Sequence, residues 1–507
     1  MKGVVAAGDE RTAKAGLWAL EHGGNAYDAV VGALFAAHLA EPALTSPAGG
    51  GFILSSDARG QSEFYDFFVD VPSADGVEKK DFFPIEVDFG SAVQVFHVGH
   101  ASIAVPGIVR GLIDIHSEKG RLPLADVLQP AIDLARSGFH LSPFQAYTLR
   151  LLEPIYRSGE ASRALYLRDN RLVNESDLFT NPEYGDFISE LGRQGGELFY
   201  SGEVAELIDA INRVNGGLLR REHLQGYRTN RAEPIRFAFK EYEVITSPPP
   251  SLGGFLLRFT FNLLSGRLNE TEWGSLTHIG HLAEAMCITQ KFRKEGLGRY
   301  FAKDNGSCSD PDAATLARYA DLYGKAINRL GNTTHISITD ADGNAVSCTS
   351  SNGEGAGVII PGTGVMLNNM LGEEDLNPNG FFQWPAGIRL PSMMAPTIIL
   401  KNGAPHLVLG SSGSNRIRSA ILQTVINMLC FDQSIEQAVQ NQRVHFENDV
   451  IYLEPGFHED VVAAVEREWT AVLFAEKNLF FGGVHAVTGD LQGAADRRRD
   501  GFVATTG

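Results

Sequence analysis

The sequence predicts an α+β layered fold, in which helices cover sheets without regular alternation of the two. Three observations carry this. Up to about residue 220, apolar residues mostly recur at helical spacing. Near Thr333 the period falls to about two, the spacing of a strand with one face buried. The strands come as hairpin pairs, not as βαβ units, which argues against a doubly wound parallel sheet. No fixed-period repeat, low-complexity tract or long linker divides the 507 residues, so one compact domain is the simplest organisation.

Glu10 to Glu21 places Ala13, Leu17, Ala19 and Leu20 on one helical face and stops at Gly23-Gly24. Asn25 caps a second helix, Ala26 to Leu39, which is apolar nearly all round and should be buried. Ser46 to Gly51 cannot be regular structure, with Pro47 and three glycines. Phe52 to Ser55 and Glu63 to Phe68 flank the turn residues Asp57 to Gly60 as a hairpin. Helices are expected over Val109 to Glu118, Pro123 to Ser137, Pro143 to Arg157 and Glu203 to Val214. Thr334 to Thr339 and Ala345 to Thr349 form strands joined at Asp340 to Asn344. Pro396 to Leu400 pairs with His406 to Leu409 around Lys401-Asn402-Gly403. The latter strand runs through Gly410 to Asn415 into a helix, Arg416 to Leu429. Helices near 434–441 and 458–468 and strands near 483–488 complete the chain.

Composition narrows the function classes. Lys and Arg number 43 against 61 Asp and Glu, a net charge of −18 that disfavours nucleic acids and anionic membranes. The four cysteines show no CxxC and no zinc-like Cys/His spacing, so neither a disulfide framework nor a structural metal is expected. The longest apolar run, Ala29 to Ala40, is too short to span a bilayer. The opening residues have no apolar leader core, so a cytoplasmic location is expected, or a periplasmic or secreted one if a leader was removed. The 55 glycines exceed the usual share of about 7%.

Few segments carry chemistry. Gly353 to Gly357 lacks the phosphate-loop pattern and no βαβ unit surrounds it, so a tight close-approach loop is the better reading. Gly410 to Asn415 lacks GxSxG, but a strand-to-helix turn offers backbone N–H groups suited to an oxyanion. Asn332-Thr333-Thr334-His335-Ile336-Ser337 opens a strand in mid-chain. A threonine hydroxyl needs a base, and its own α-amino group, with a pKa of about 7.7–8.0, supplies one if cleavage makes it an N-terminus. Two strand-forming threonines at an ordinary hairpin are the plain alternative, and the segment alone leaves both open.

Taken together, these segments resemble the γ-glutamyltransferases, N-terminal-nucleophile hydrolases made as self-cutting proenzymes. Gly23 to Ala29 is similar to the family's GGNAxDA junction, and Pro47 to Phe52 to its glycine loop. Val105-Pro106-Gly107 and Gln129 to Ala135 are similar to its VPG and QPAxxLA segments. Thr333 to Ser337 with Asp342 to Val346 resembles its TTHxS…DGNAV signature. Gly364 to Asn369, Pro396-Thr397, Gly410 to Ile417 and Gly493 to Asp496 follow in family order. The resemblance implies a four-layer αββα sandwich built from a helix-rich large subunit, 1–332, and a catalytic small subunit, 333–507. It makes Thr333 the nucleophile, Asn332–Thr333 the autocleavage bond, Ser351 the supporting hydroxyl, and Gly413 with Ser414 the oxyanion hole. Asn352 corresponds to a substrate-binding asparagine.

The departures fall on the acyl-donor side. Phe68 stands where the family's carboxylate-clamping arginine is expected, so a bidentate guanidinium is lost there. Of the serine pair only Ser392 remains, after Pro391. Met370 and Glu373 replace the glutamine and aspartate that hold the α-amino group, with Glu374 or Asp375 as substitutes. The lid, Leu376 to Arg389, is short, and Phe381, Phe382 and Trp384 are candidates to line a more open site. Arg389, Arg416 and Arg418 are the candidate replacement cations.

The resemblance therefore implies a self-processing amide hydrolase or acyltransferase acting on γ-glutamyl amides such as glutathione. A related amidohydrolase for another acyl group, cephalosporin acylase-like or oxamate amidohydrolase-like, is the alternative. An uncleaved, non-catalytic binding protein is the alternative of another class. The implied partners are a small amide and the chain's own fragment, with higher homo-oligomers left open. No metal or organic cofactor is implied, because nucleophile and base are one residue.

Overall fold

The alternation of side chains along Gly3–Ala7 sets the architecture. Val5 packs into a core shared with helices, while Val4 and Ala6 face the opposite way, into a core shared with a second sheet. The computed structural model describes residues 2–88, 93–293 and 332–506.

The first sheet has seven strands in the order Phe502–Thr505, Gly3–Ala7, Thr334–Asp340, Ala345–Ser351, Gly50–Ser56, Ser62–Phe67, Asn230–Ala232. The second has six, in the order Gly493–Ala495, Gly483–Thr488, Ala404–Ser412, Thr397–Lys401, Tyr242–Thr246, Ile235–Phe239. Neighbours in both sheets are antiparallel. The sheets pack face to face, and part of their contact is polar. Ser337 Oγ donates to the carbonyl of His485 at 3.0 Å, and Ser347 Oγ to that of Leu409 at 2.9 Å.

Helices Glu10–Glu21 and Ala26–Ala40 cover the outer face of the first sheet, and Leu252–Leu264 and Arg416–Phe431 that of the second. This is the four-layer αββα sandwich the resemblance implies. Asn25 closes a capping box with Asp28, and every residue of Ala26–Ala40 is buried, as its all-round apolar sequence requires.

Several elements differ from expectation, among them the unexpected helices Pro182–Gln194, Leu252–Leu264 and Leu276–Lys291. The helix beginning at Pro143 ends at Leu151, and a short turn, Glu153–Tyr156, follows, because Pro154 has no N–H to continue the ladder. Gly3–Ala7 and Phe502–Thr505, too short and too uniformly apolar to show a period, are strands. Ile235–Phe239 and Tyr242–Thr246 form a hairpin that edges the second sheet. Cys287, Cys348 and Cys430 are unpaired thiols, and Cys308 lies outside the described residues. Among the described residues no helix is long and apolar enough to cross a membrane.

Candidate active site

Thr333 immediately precedes the strand Thr334–Asp340, whose neighbours are Gly3–Ala7 and Ala345–Ser351. Thr334 pairs with Ser350, and one further step of that antiparallel register sets Ser351 opposite Thr333. Ser351 Oγ donates to the carbonyl oxygen of Asn332 at 2.6 Å and accepts the N–H of Gly353 at 3.1 Å. The carbonyl of the expected scissile bond is thus already polarised by a hydroxyl.

Close approach of backbones explains the glycine loop. A Cβ on Gly49 would lie 2.2 Å from the carbonyl oxygen of Ser351, a distance no side chain tolerates. The neighbouring Thr334 hydroxyl is held by Glu41 at 2.5 Å, and Thr12 donates to the same carboxyl group at 2.7 Å. Glu41 is 0% exposed. Burial pushes its carboxyl up to about 7, with Asp9 adding to the rise while the Thr334 and Thr12 hydroxyls and Arg499 oppose it. His335 is a core group: its ring meets Thr349 and Ser337 at 2.8 and 2.9 Å, and burial holds it well below the usual imidazole range.

The strand Ala404–Ser412 leads into helix Arg416–Phe431 through Gly413, Ser414 and Asn415. Gly413 has φ +111°, and a Cβ there would meet the Cα of Gly482 at 3.0 Å, so glycine is required. Ser414 is also left-handed, at φ +52°. Its side chain donates to Asp375 at 3.2 Å, leaving its backbone N–H at the positive end of the helix.

A recess of about 750 Å³, open solvent included, brings these parts together. Thr333, which is 6% exposed, lines it with Asn332, Ser351 and Ser414. The donor-side residues Phe68, Met370, Glu373, Asp375 and Ser392 line it too. Burial pushes the Glu373 carboxyl well above its usual range, and the charges of Glu354 and Asp375 add to this. Leu376 and Pro378, from the start of the lid, also line it, whereas Phe382 and Trp384 line a neighbouring hollow.

Other expected residues are not in the recess wall. Asn352 is buried beside Glu354, and its Oδ1 has no hydrogen-bond partner among the described residues. Gly413 and Glu374 are not part of the lining, although Ser414 next to Gly413 is. Arg389 is engaged by Asp66 and Asp70 at 2.9 and 2.5 Å and by the carbonyl of Arg228. Arg416 faces Glu447 at 3.3 Å and stacks over Phe480. Arg418 lines a separate buried cavity, where burial first and Arg293 second bring its guanidinium down to about 9.

Arg293 is a lining residue that sequence reasoning missed. It follows helix Leu276–Lys291, is 5% exposed, and donates to Asn415 Oδ1 at 3.0 Å. No pattern distinguishes it from other arginines near a helix end. Among the described residues no group of three His, Cys, Asp or Glu side chains is placed to hold a metal ion.

Comparison with known proteins gives a consistent set of similarities. The description of the gamma-glutamyltranspeptidase family matches residues 12–506. The acylase ACY 1 proenzyme of Pseudomonas sp. strain SE83 is 30% identical over 99% of this chain and 93% of its own length. The glutathione hydrolase proenzyme of Escherichia coli K12 is 28% identical, covering 98% and 90%. The crystal structure of cephalosporin acylase from Bacillus halodurans superposes with a TM-score of 0.81 at 24% identity, over 99% of this chain and 95% of that one.

Proposed function

The chain belongs to the γ-glutamyltranspeptidase family, and from that premise we propose that it is a proenzyme that cuts itself at Asn332–Thr333 and then cleaves γ-glutamyl amides through an acyl-enzyme on Thr333. The observation that carries this reading is the 2.6 Å hydrogen bond from Ser351 Oγ to the Asn332 carbonyl. It polarises the carbon that the adjacent Thr333 hydroxyl must attack and is positioned to receive the developing oxyanion.

In maturation the Thr333 hydroxyl adds to the Asn332 carbonyl carbon. The C–N bond then breaks, and the hydroxyl proton ends on the departing nitrogen. The resulting ester is hydrolysed, leaving the carboxylate of Asn332 and a free α-amino group on Thr333. That amine, with a pKa of about 7.7–8.0, takes the hydroxyl proton during turnover as Thr333 attacks the donor amide. The N–H groups of Gly413 and Ser414 receive the oxyanion, and the proton passes to the leaving amine. Water or a second amine then accepts the acyl group. Asp375 offers a carboxylate to a donor amino group, Glu373 a carboxyl oxygen as hydrogen-bond acceptor, and Ser392 a hydroxyl.

Intact-mass measurement tests maturation. Two polypeptides are expected, one ending at Asn332 and one beginning at Thr333, with Thr333→Ala remaining a single chain of 507 residues. A wild-type protein that stays uncut would favour the non-catalytic binding protein. Release of p-nitroaniline from γ-glutamyl-p-nitroanilide tests the donor. A fully processed protein that releases none would favour an amidohydrolase for another acyl group. That second reading draws support from Phe68, an apolar ring in the recess where the family arginine is expected, and from the similarity to acylase ACY 1.

A further inference from the structure

A second cavity, of about 310 Å³ with open solvent included, shares Asn415 with the recess. Thr289 and Gln290 reach it from helix Leu276–Lys291, Arg418 and Ser419 from the start of helix Arg416–Phe431, and His445 from strand Val444–Glu447. Arg418 is 9% exposed, yet its guanidinium makes no hydrogen bond among the described residues. We propose that this cavity binds a small inorganic monoanion, of the size of chloride or nitrate, on the Arg418 guanidinium.

A buried cation is stable when a group of opposite sign meets it. Among the described residues the carboxylate whose charge acts on Arg418 is Glu447, and it is engaged elsewhere. It faces Arg416 at 3.3 Å and His445 at 3.8 Å, and no ion pair joins it to Arg418. Burial and the like charge of Arg293 outweigh its pull and bring the Arg418 guanidinium down to about 9. An anion in the cavity would oppose that fall and meet the unused donors of the fork.

The helix adds to the attraction. Its N–H groups at Arg416 and Ile417 are taken by the carbonyls of Gly413 and Ser414, so it contributes its field, and Arg418 in its first turn contributes the hydrogen bonds. Gln290 donates one amide N–H to the Phe446 carbonyl at 2.8 Å and carries a second at the cavity wall. The Thr289 hydroxyl is spent on the carbonyl of Ala285 at 2.7 Å. One cation and one amide donor match a single negative charge, which a phosphate dianion exceeds.

The test exchanges gluconate, a bulky organic anion, for chloride at constant ionic strength and follows thermal unfolding of wild type and Arg418→Met. The wild-type midpoint should rise by about 1 °C for each tenfold increase in chloride beyond half-saturation, while the Arg418→Met midpoint stays fixed. Nitrate is run in the same way. A rise with either anion that the substitution abolishes supports the site. Equal slopes in the two proteins, or no slope in wild type with either anion, overturn it. The readout is a slope, so a change in baseline stability on removing a buried charge does not enter. Should Arg418→Met fail to fold, a wild-type crystal grown in bromide decides. An anomalous peak at the Arg418 guanidinium supports the site, and water or a carboxylate of the chain in its place overturns it. Neither measurement involves turnover, so the outcome is independent of the reading of Thr333.

Discussion

Glu41 makes the stability of the protein depend on pH. Its carboxyl is raised from 4.5 to about 7 by burial, so between those values the folded state binds more protons than the unfolded one. The group's stabilising contribution is therefore full below 4.5 and is lost as pH rises through 7. The whole effect is about 3 kcal/mol. Glu41→Gln keeps an acceptor for the Thr12 and Thr334 hydroxyls and removes the titration. Urea unfolding at about pH 5 and about pH 8 should show a smaller difference between the two conditions in this variant than in wild type. An equal difference would place the dependence on another group. The same burial explains why Glu41 escapes notice in the sequence: it is an ordinary Glu-Pro after a helix until Thr334, far along the chain, is folded against it.

At the scale of elements, the glycine loop and the hairpin that carries Thr333 form one unit. Gly49→Ala would put a Cβ 2.2 Å from the Ser351 carbonyl oxygen and push that strand away from Asn332. Maturation followed on a denaturing gel should slow markedly, while Gly226→Ala, with nothing within 4 Å of the added carbon, should mature like wild type. A Gly49→Ala protein cut at the normal rate would remove the loop from the machinery. The hairpin was legible because it is local, with a tight Asp-Gly-Asn turn between its strands, whereas the approach of Gly49 to Ser351 joins segments far apart in the chain and was not. Glu10–Glu21, Ile108–Lys119, Leu124–Ser137 and Glu203–Val214 were legible because each carries its own apolar stripe, whereas Glu160–Tyr166 and Pro182–Gln194 were not expected. The donor side was not legible. Arg389 looked available until Asp66 and Asp70, from a distant segment of the chain, closed on it. Arg293 looked ordinary until Asn415 drew it to the recess. Those pairings join residues far apart in the chain, which no window of sequence contains.

Over the whole molecule, residues 1–332 and 333–507 are interleaved and not side by side. Gly3–Ala7 lies between Thr334–Asp340 and Phe502–Thr505, Gly50–Ser56 pairs with Ala345–Ser351, and Tyr242–Thr246 with Thr397–Lys401. Breaking one peptide bond leaves all four ladders in place. The two matured polypeptides should therefore co-elute in size-exclusion chromatography without denaturant and separate only in it. Two independent peaks under native conditions would contradict this strand order. The order has another use. Val4 pairs with Thr505, and the N–H of Thr506 reaches the carbonyl of Gly3 at 3.1 Å, so the two ends of the described chain touch. A short linker across that junction, with the opening moved to residue 333, would rewrite the same sandwich as a circular permutant. Its gene would encode Thr333, the proposed nucleophile, as the first residue after the initiator, and the proposed self-cleavage would give way to removal of that initiator by an aminopeptidase.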